Sequence, residues 1–142
     1  MFKMKMSNYD KESGVSIVVL STDLGEFTGV SRLHEDDRQN ASEFFGCEIA
    51  ELRALIAYTK RQKQITAYQY KAVRDMYVNL SQMKDFNKES VEARKIRRKL
   101  HELHEEWIQW KKNINSLEYD IKARCAAREA MMKKIHEKGK TE

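Results

Sequence analysis

The chain contains no proline, and its only glycines are Gly14, Gly25, Gly29, Gly46 and Gly139. These two residue types interrupt helices, one through a missing donor and the other through backbone entropy. Composition therefore offers nothing to break a helix between Cys47 and Lys138. Long apolar runs are also lacking. The one continuous run, "VSIVVL" at 15–20, is too short to span a bilayer or to form a signal core. The two cysteines, Cys47 and Cys125, lie far apart. They make neither a metal-ligand spacing nor a disulfide framework, which points to a reducing compartment. A strong excess of one charge is missing too: 27 basic residues face 22 acidic ones, a formal net charge of +5. That balance permits contact with nucleic acid or an acidic protein and requires neither. The expected setting is intracellular and soluble, in the cytoplasm or inside a viral particle or large complex, away from membranes.

Motifs of catalysis are equally scarce. No Ser-His-Asp arrangement and no Gly-rich phosphate loop occurs. The most suggestive stretch is "KLHELHEEWIQWKK" at 99–112. Its two histidines, His101 and His104, are separated by two residues, whereas the zincin motif needs three. The di-iron pattern Glu-x-x-His fails at each histidine, because positions 31, 98, 101 and 133 are Ser31, Arg98, His101 and Lys133. Acid–base chemistry needs carboxyl groups set in a cleft, and Glu102, Glu105 and Glu106 stand on a polar face among lysines. The expectation is a protein without catalytic residues, metal site or cofactor.

What is present is helical rhythm. Of the 142 residues, 41% are apolar and 35% charged. That suits long helices with a narrow apolar seam and much solvated surface. The clearest pattern is Ala93, Ile96, Leu100, Leu103, Trp107, Trp110, Ile114, Leu117 and Ile121, spaced alternately three and four apart. This is a heptad seam, and it turns His101 and His104 away from the interior. Past Ile121 the register blurs: Arg124 and Arg128 hold the old phase, while Cys125 and Met132 indicate a stutter. The helix is expected to run to about Glu137, a rod of roughly 75 Å at 1.5 Å per residue. Gly139 then stops it and leaves a tail at 139–142.

An earlier helix is expected to start near Asn40, where Asn40 and Glu43 have capping-box spacing. Its apolar positions are Phe45, Ile49, Leu52 and Ile56, and later Ile65, Tyr68, Ala72, Met76, Leu80 and Met83. Between them, "TKRQKQ" at 59–64 is polar. Either the chain turns there, with Thr66 and Gln69 as a second capping box, or one helix continues. Continuity is favoured, because folding the chain back near 84–88 into two arms of nearly equal length brings two indoles against that polar stretch. Pairing about Phe86 then sets Ile121 near Leu52, Leu117 near Leu55 and Met131 near Phe45. Trp107 and Trp110 fall near Ile65 and Gln62, where indoles and the stems of Lys60, Arg61 and Lys63 can fill the polar lapse. In the turn, Asn87 and Ser90 are both suited to N-capping.

Residues 1–39 differ from the rest. "GVSIVVLSTDLGEFTGVSRLH" reads as a β-hairpin with strands near 15–21 and 26–33. An isolated hairpin is marginal in water, so it must pack on the helices or extend another sheet. The expected fold is thus mainly α: a long antiparallel helical hairpin or coiled coil over 40–138, two- or three-helical, with a short N-terminal β-hairpin. A slender helical hairpin buries little surface, which favours a second copy or a protein partner.

A heptad seam occurs in many unrelated proteins and points to no one family. The expected function is protein–protein assembly, as a structural component of a complex or viral particle, or as a small adaptor or inhibitor. Its interface is the seam from Ile96 to Ile121. The competing reading is a nucleic-acid-binding regulator with a coiled-coil dimerisation arm. Its contacts would be the tract Arg94, Lys95, Arg97, Arg98 and Lys99, with Lys60, Arg61 and Lys63 further along. A turn at 61–65 would give that reading a helix-turn-helix, with residues 67–84 as recognition helix.

Overall fold

Val15–Thr22 is the most β-prone segment of the chain, rich in valine with one isoleucine, and it forms the central strand β2. Its burial alternates, with Ser16, Val18 and Leu20 turned inward. The computed structural model describes residues 3–32 and 43–141. β2 pairs antiparallel with β1 (Lys3–Asp10) on one side and β3 (Gly25–Arg32) on the other, in the order β1-β2-β3. The expected two-stranded hairpin is thus a three-stranded sheet. β1 escaped the sequence reading because its methionines, lysines, serine and asparagine are weak strand formers.

Both turns are fixed by side-chain hydrogen bonds. The Asp10 carboxylate accepts from the Glu12 amide at 3.0 Å and from the Ser13 hydroxyl at 2.9 Å. Gly14 closes that turn at φ +70°, a left-handed conformation that favours glycine. Between β2 and β3, Thr22 Oγ1 donates to the Gly25 carbonyl at 2.7 Å and accepts from the Leu24 amide at 3.1 Å.

Two helices follow among the described residues: α1 (Glu43–Ser81) and α2 (Val91–Thr141). A third helix is not found among them. α1 passes through 59–64 without a break, so the expected alternative of a turn at 61–65 is overturned, and the helix-turn-helix with it. Asn40, the expected N-cap, lies outside the described residues, as does Leu33 at the end of the expected second strand.

The turn between the helices is where the sequence places it. Ser90 caps α2, accepting from the Ala93 amide through its hydroxyl at 3.2 Å and from the Arg94 amide through its carbonyl at 3.0 Å. Asn87 instead bends the chain just before, its side chain accepting from the Glu89 amide at 2.9 Å. At the far end the expected stop at Gly139 is corrected: α2 continues through it to Thr141. A glycine weakens a helix by only about 1 kcal/mol and need not end one.

The chain divides into two units, Met1–Tyr58 with Asn115–Glu142, and Thr59–Ile114. In the first, Val18 and Leu20 of the sheet pack with Ala50 and Ala54 of α1, flanked by Cys47 and Leu55. The approach is close enough that a Cβ on Gly29 would collide with the Ala50 carbonyl oxygen. Arg53 donates to the Val30 carbonyl at 2.6 Å, and Tyr58 meets Phe27 edge-on at 5.6 Å. The sheet is therefore packed on α1 along its inner face. From α2, Arg124 pairs with Glu48 and Arg128 lies 5.4 Å from the Phe45 ring. Met131, expected beside Phe45, is exposed instead.

In the second unit, α1 meets the turn at the Tyr77–Phe86 ring pair (6.0 Å) and α2 at the Tyr70–His104 pair (6.4 Å). Lys63 holds its ammonium 5.0 Å from the Trp107 ring centre. As far as Ile65 the expected positions of α1 are covered, Ile49 buried and Phe45, Leu52, Ile56 and Ile65 half-buried, and Leu80 is covered too; the covered side differs from the expected one at the positions between and beyond. Thr59 and Thr66 are buried, and Gln62, Tyr70, Val73, Tyr77 and Leu80 are half-buried. Of the expected apolar positions, Tyr68, Ala72, Met76 and Met83 lie in solvent. The buried Thr66 hydroxyl needs no partner from α2, because it donates at 3.0 Å to the Gln62 carbonyl one turn back.

Candidate functional site

The heptad positions of α2 lie on its covered side. Ala93, Leu103 and Ile114 are buried, and Ile96, Leu100, Trp107, Trp110, Leu117 and Ile121 are half-buried. Beyond Ile121 the covered positions are Cys125, Arg128 and Met132. Cys125 and Met132 sit one residue past the old phase, as in a stutter, while Arg128 keeps it. Both Trp residues make polar contacts suited to a half-wet position: the Trp110 indole donates to Glu106 at 3.3 Å, and Trp107 lies near the ammoniums of Lys63 and Lys111.

The residues that first suggest chemistry are dispersed. His101, Glu102, His104, Glu105 and Glu106 are all exposed. Among the described residues, no group of three or more His, Cys, Asp or Glu side chains is placed to hold a metal ion. Cys47 and Cys125 are free thiols, both half-buried, and the Ser7 hydroxyl donates to Cys47 Sγ at 3.1 Å. Also among the described residues, no helix is long and apolar enough to cross a membrane.

The basic tract opens α2. Arg94, Lys95, Arg98 and Lys99 are exposed and Arg97 is half-buried. Arg94 is engaged with Glu89 at 3.0 Å. The second basic group does not join it. Lys63 sits on Trp107, which lies eight positions beyond Lys99, or about 12 Å along the helix. Arg61 donates to the Gln64 side chain at 2.6 Å, and Lys60 is exposed. The two groups thus form separate patches rather than a single electropositive track.

One concavity is an apolar groove the sequence reading missed. Beside the turn, Met76 and Leu80 of α1, Met83 of the turn and Ile96 of α2 form this open apolar groove of about 540 Å³, with Asn79, Glu92 and Lys95 as its polar lining. Met76 is 59% exposed and Met83 64%. A second hollow shares Leu80, Met83 and Glu92 and continues under the turn past Phe86. A smaller recess within the same unit is lined by Ala67, Tyr70, His104 and Trp107. The groove was legible as apolar spacing in α1, but that spacing was assigned to the interior.

Compared with protein-family models, with curated proteins and with solved structures, the chain matches none of them.

Proposed function

We propose that this chain is a non-catalytic assembly protein, an antiparallel helical hairpin carrying a small sheet, which works by binding protein through its helices. Four contacts support the hairpin: Lys63 with Trp107, Tyr70 with His104, Glu48 with Arg124 and Phe45 with Arg128. Each pair lies within two positions of symmetry about Phe86. A component of a larger complex and a small adaptor both fit this design.

One observation carries the assembly reading. Tyr68, Met76, Val78, Met83 and Val91 of the second unit are all exposed, as are Tyr119, Met131 and Ile135 of α2. The buried apolar residues of α2 are only Ala93, Leu103, Ile114 and Met132 among those described. Single exposed apolar residues are ordinary, but rows of them on long helices mark binding surfaces. The nucleic-acid reading lacks comparable support, because its basic residues fall in two patches and Arg94 is already paired.

Cross-linking mass spectrometry on the full chain in its native host tests the reading. Cross-links from Lys95, Lys99 or Lys111 to a protein chain, its own kind included, are the expected result. Recovery only with nucleic acid, abolished by nuclease, would overturn it.

A further inference from the structure

We propose that the groove beside the turn is a self-association surface, and that its occupant is the same groove of a second copy. This rests on the assembly reading above and names its partner.

The floor of the groove belongs to a row at helical spacing. Tyr68, Ala72 and Met76 of α1 follow one another by four residues, and Met83 lies just past the end of α1, in the turn. All four are exposed, while α1 turns Thr66, Tyr70, Val73 and Tyr77 towards its covered side. α1 therefore has two packing rows in this unit, and α2 occupies one. The second row keeps the periodicity that receives another helix. Methionine suits such a surface, because its flexible thioether adapts to whatever it meets.

The rim charges choose the occupant. Glu92 and Lys95 stand about one turn apart on α2, and both line the groove. Neither makes an ion pair among the described residues. A strongly acidic or strongly basic partner would be met by a rim of the opposite single sign. This rim carries one charge of each. A two-fold antiparallel contact sets Glu92 of one copy against Lys95 of the other, and the reverse, at the same time. It also lays Met76 and Met83 of each copy across those of the other. Glu92 and Lys95 themselves add no net charge to the contact.

Sedimentation velocity on the full chain, over a wide concentration range, is the test. The unaltered chain should form a reversible dimer. Glu92→Lys makes the rim wholly basic and Lys95→Glu makes it wholly acidic; each alone should weaken the dimer by about tenfold or more in Kd. An equimolar mixture of the two variants should restore it as a heterodimer, which a foreign occupant would not produce. Met76→Glu should give a monomer with unchanged circular dichroism, since Met76 is already largely in solvent. A dimer insensitive to these changes would overturn the groove as interface while leaving the assembly reading standing. A chain that stays monomeric at every concentration would overturn the second copy as occupant, and cross-links to a different protein would then still uphold the assembly reading.

Discussion

The Lys63 ammonium of α1 stands 5.0 Å from the ring centre of Trp107 on α2. It does so in the segment where α1 loses its apolar rhythm. Aromatic bulk on one helix and a lysine on the other occupy positions that two aliphatic residues would ordinarily fill. Trp107 is half-buried, so Trp107→Ala should cost about 2 kcal/mol, less than a fully buried indole. Lys63→Met keeps the stem and loses only the charge, and should cost about 0.5–1 kcal/mol. Urea unfolding midpoints check both, and equal effects would show that Lys63 acts through more than its charge.

Thr66 and Tyr68 reverse the usual expectation for their types. Thr66 is 2% exposed and Tyr68 is 60% exposed. Thr66→Lys should destabilise by about 3 kcal/mol or more, since it forces a charge into a closed position. Tyr68→Ser should change stability by no more than about 0.5 kcal/mol. Thermal unfolding at low protein concentration separates the two. A large loss at Tyr68 would mean that the other face of α1 is the inner one.

Gly29→Ala places a methyl group against the Ala50 carbonyl oxygen, where the obstacle is helix backbone and cannot rotate away. The cost should reach about 3 kcal/mol, at the upper end for overpacking. Hydrogen exchange should show lost protection in β3 and at Ala50 and Ala54. Protection unchanged at these sites would contradict the close sheet–helix contact.

Gly139→Ala should act the opposite way. Gly139 lies inside α2 with nothing near its Cβ direction. Alanine there should stabilise the last turn by about 0.5–1 kcal/mol and raise the helical signal slightly. A lower signal would mean that Gly139 ends the helix.

Binding to mixed-sequence duplex DNA at physiological salt should be absent. If it were present, neutralising Arg94, Arg97 and Arg98 together should flatten its salt dependence, with each phosphate contact contributing a slope of about 0.9. Fluorescence anisotropy against salt concentration reads this directly, and tight salt-dependent binding would favour the regulator.

The legible parts of this fold were those with apolar periodicity and no competitor. The α2 row from Ala93 to Ile121 has one reading, and burial follows it. The turn near Ser90 was legible because Asn87 and Ser90 have local hydrogen-bonding roles that need no tertiary context. α1 misled because it carries two rows. Thr66, Tyr70, Val73, Tyr77 and Leu80 also step four and three, but a reading weighted by hydrophobicity passes over Thr59, Gln62 and Thr66. Thr66 can sit inward because its hydroxyl bonds the backbone of its own helix, which linear sequence does not display. β1 carried only the faint alternation of Met4 and Met6 with lysine and serine. The groove followed from the same mistake, since residues assigned to an interior are not examined as a surface.

The contact at Gly29 also constrains how this chain can vary. Backbone meets backbone there, so larger side chains at 29, 50 and 54 cannot be accommodated by repacking neighbours. Lineages descended from this sequence should hold glycine at 29 and alanine or glycine at 50 and 54 while the helix surfaces drift. Those three small residues, rather than the conspicuous tryptophans, form the signature by which distant kin should be sought.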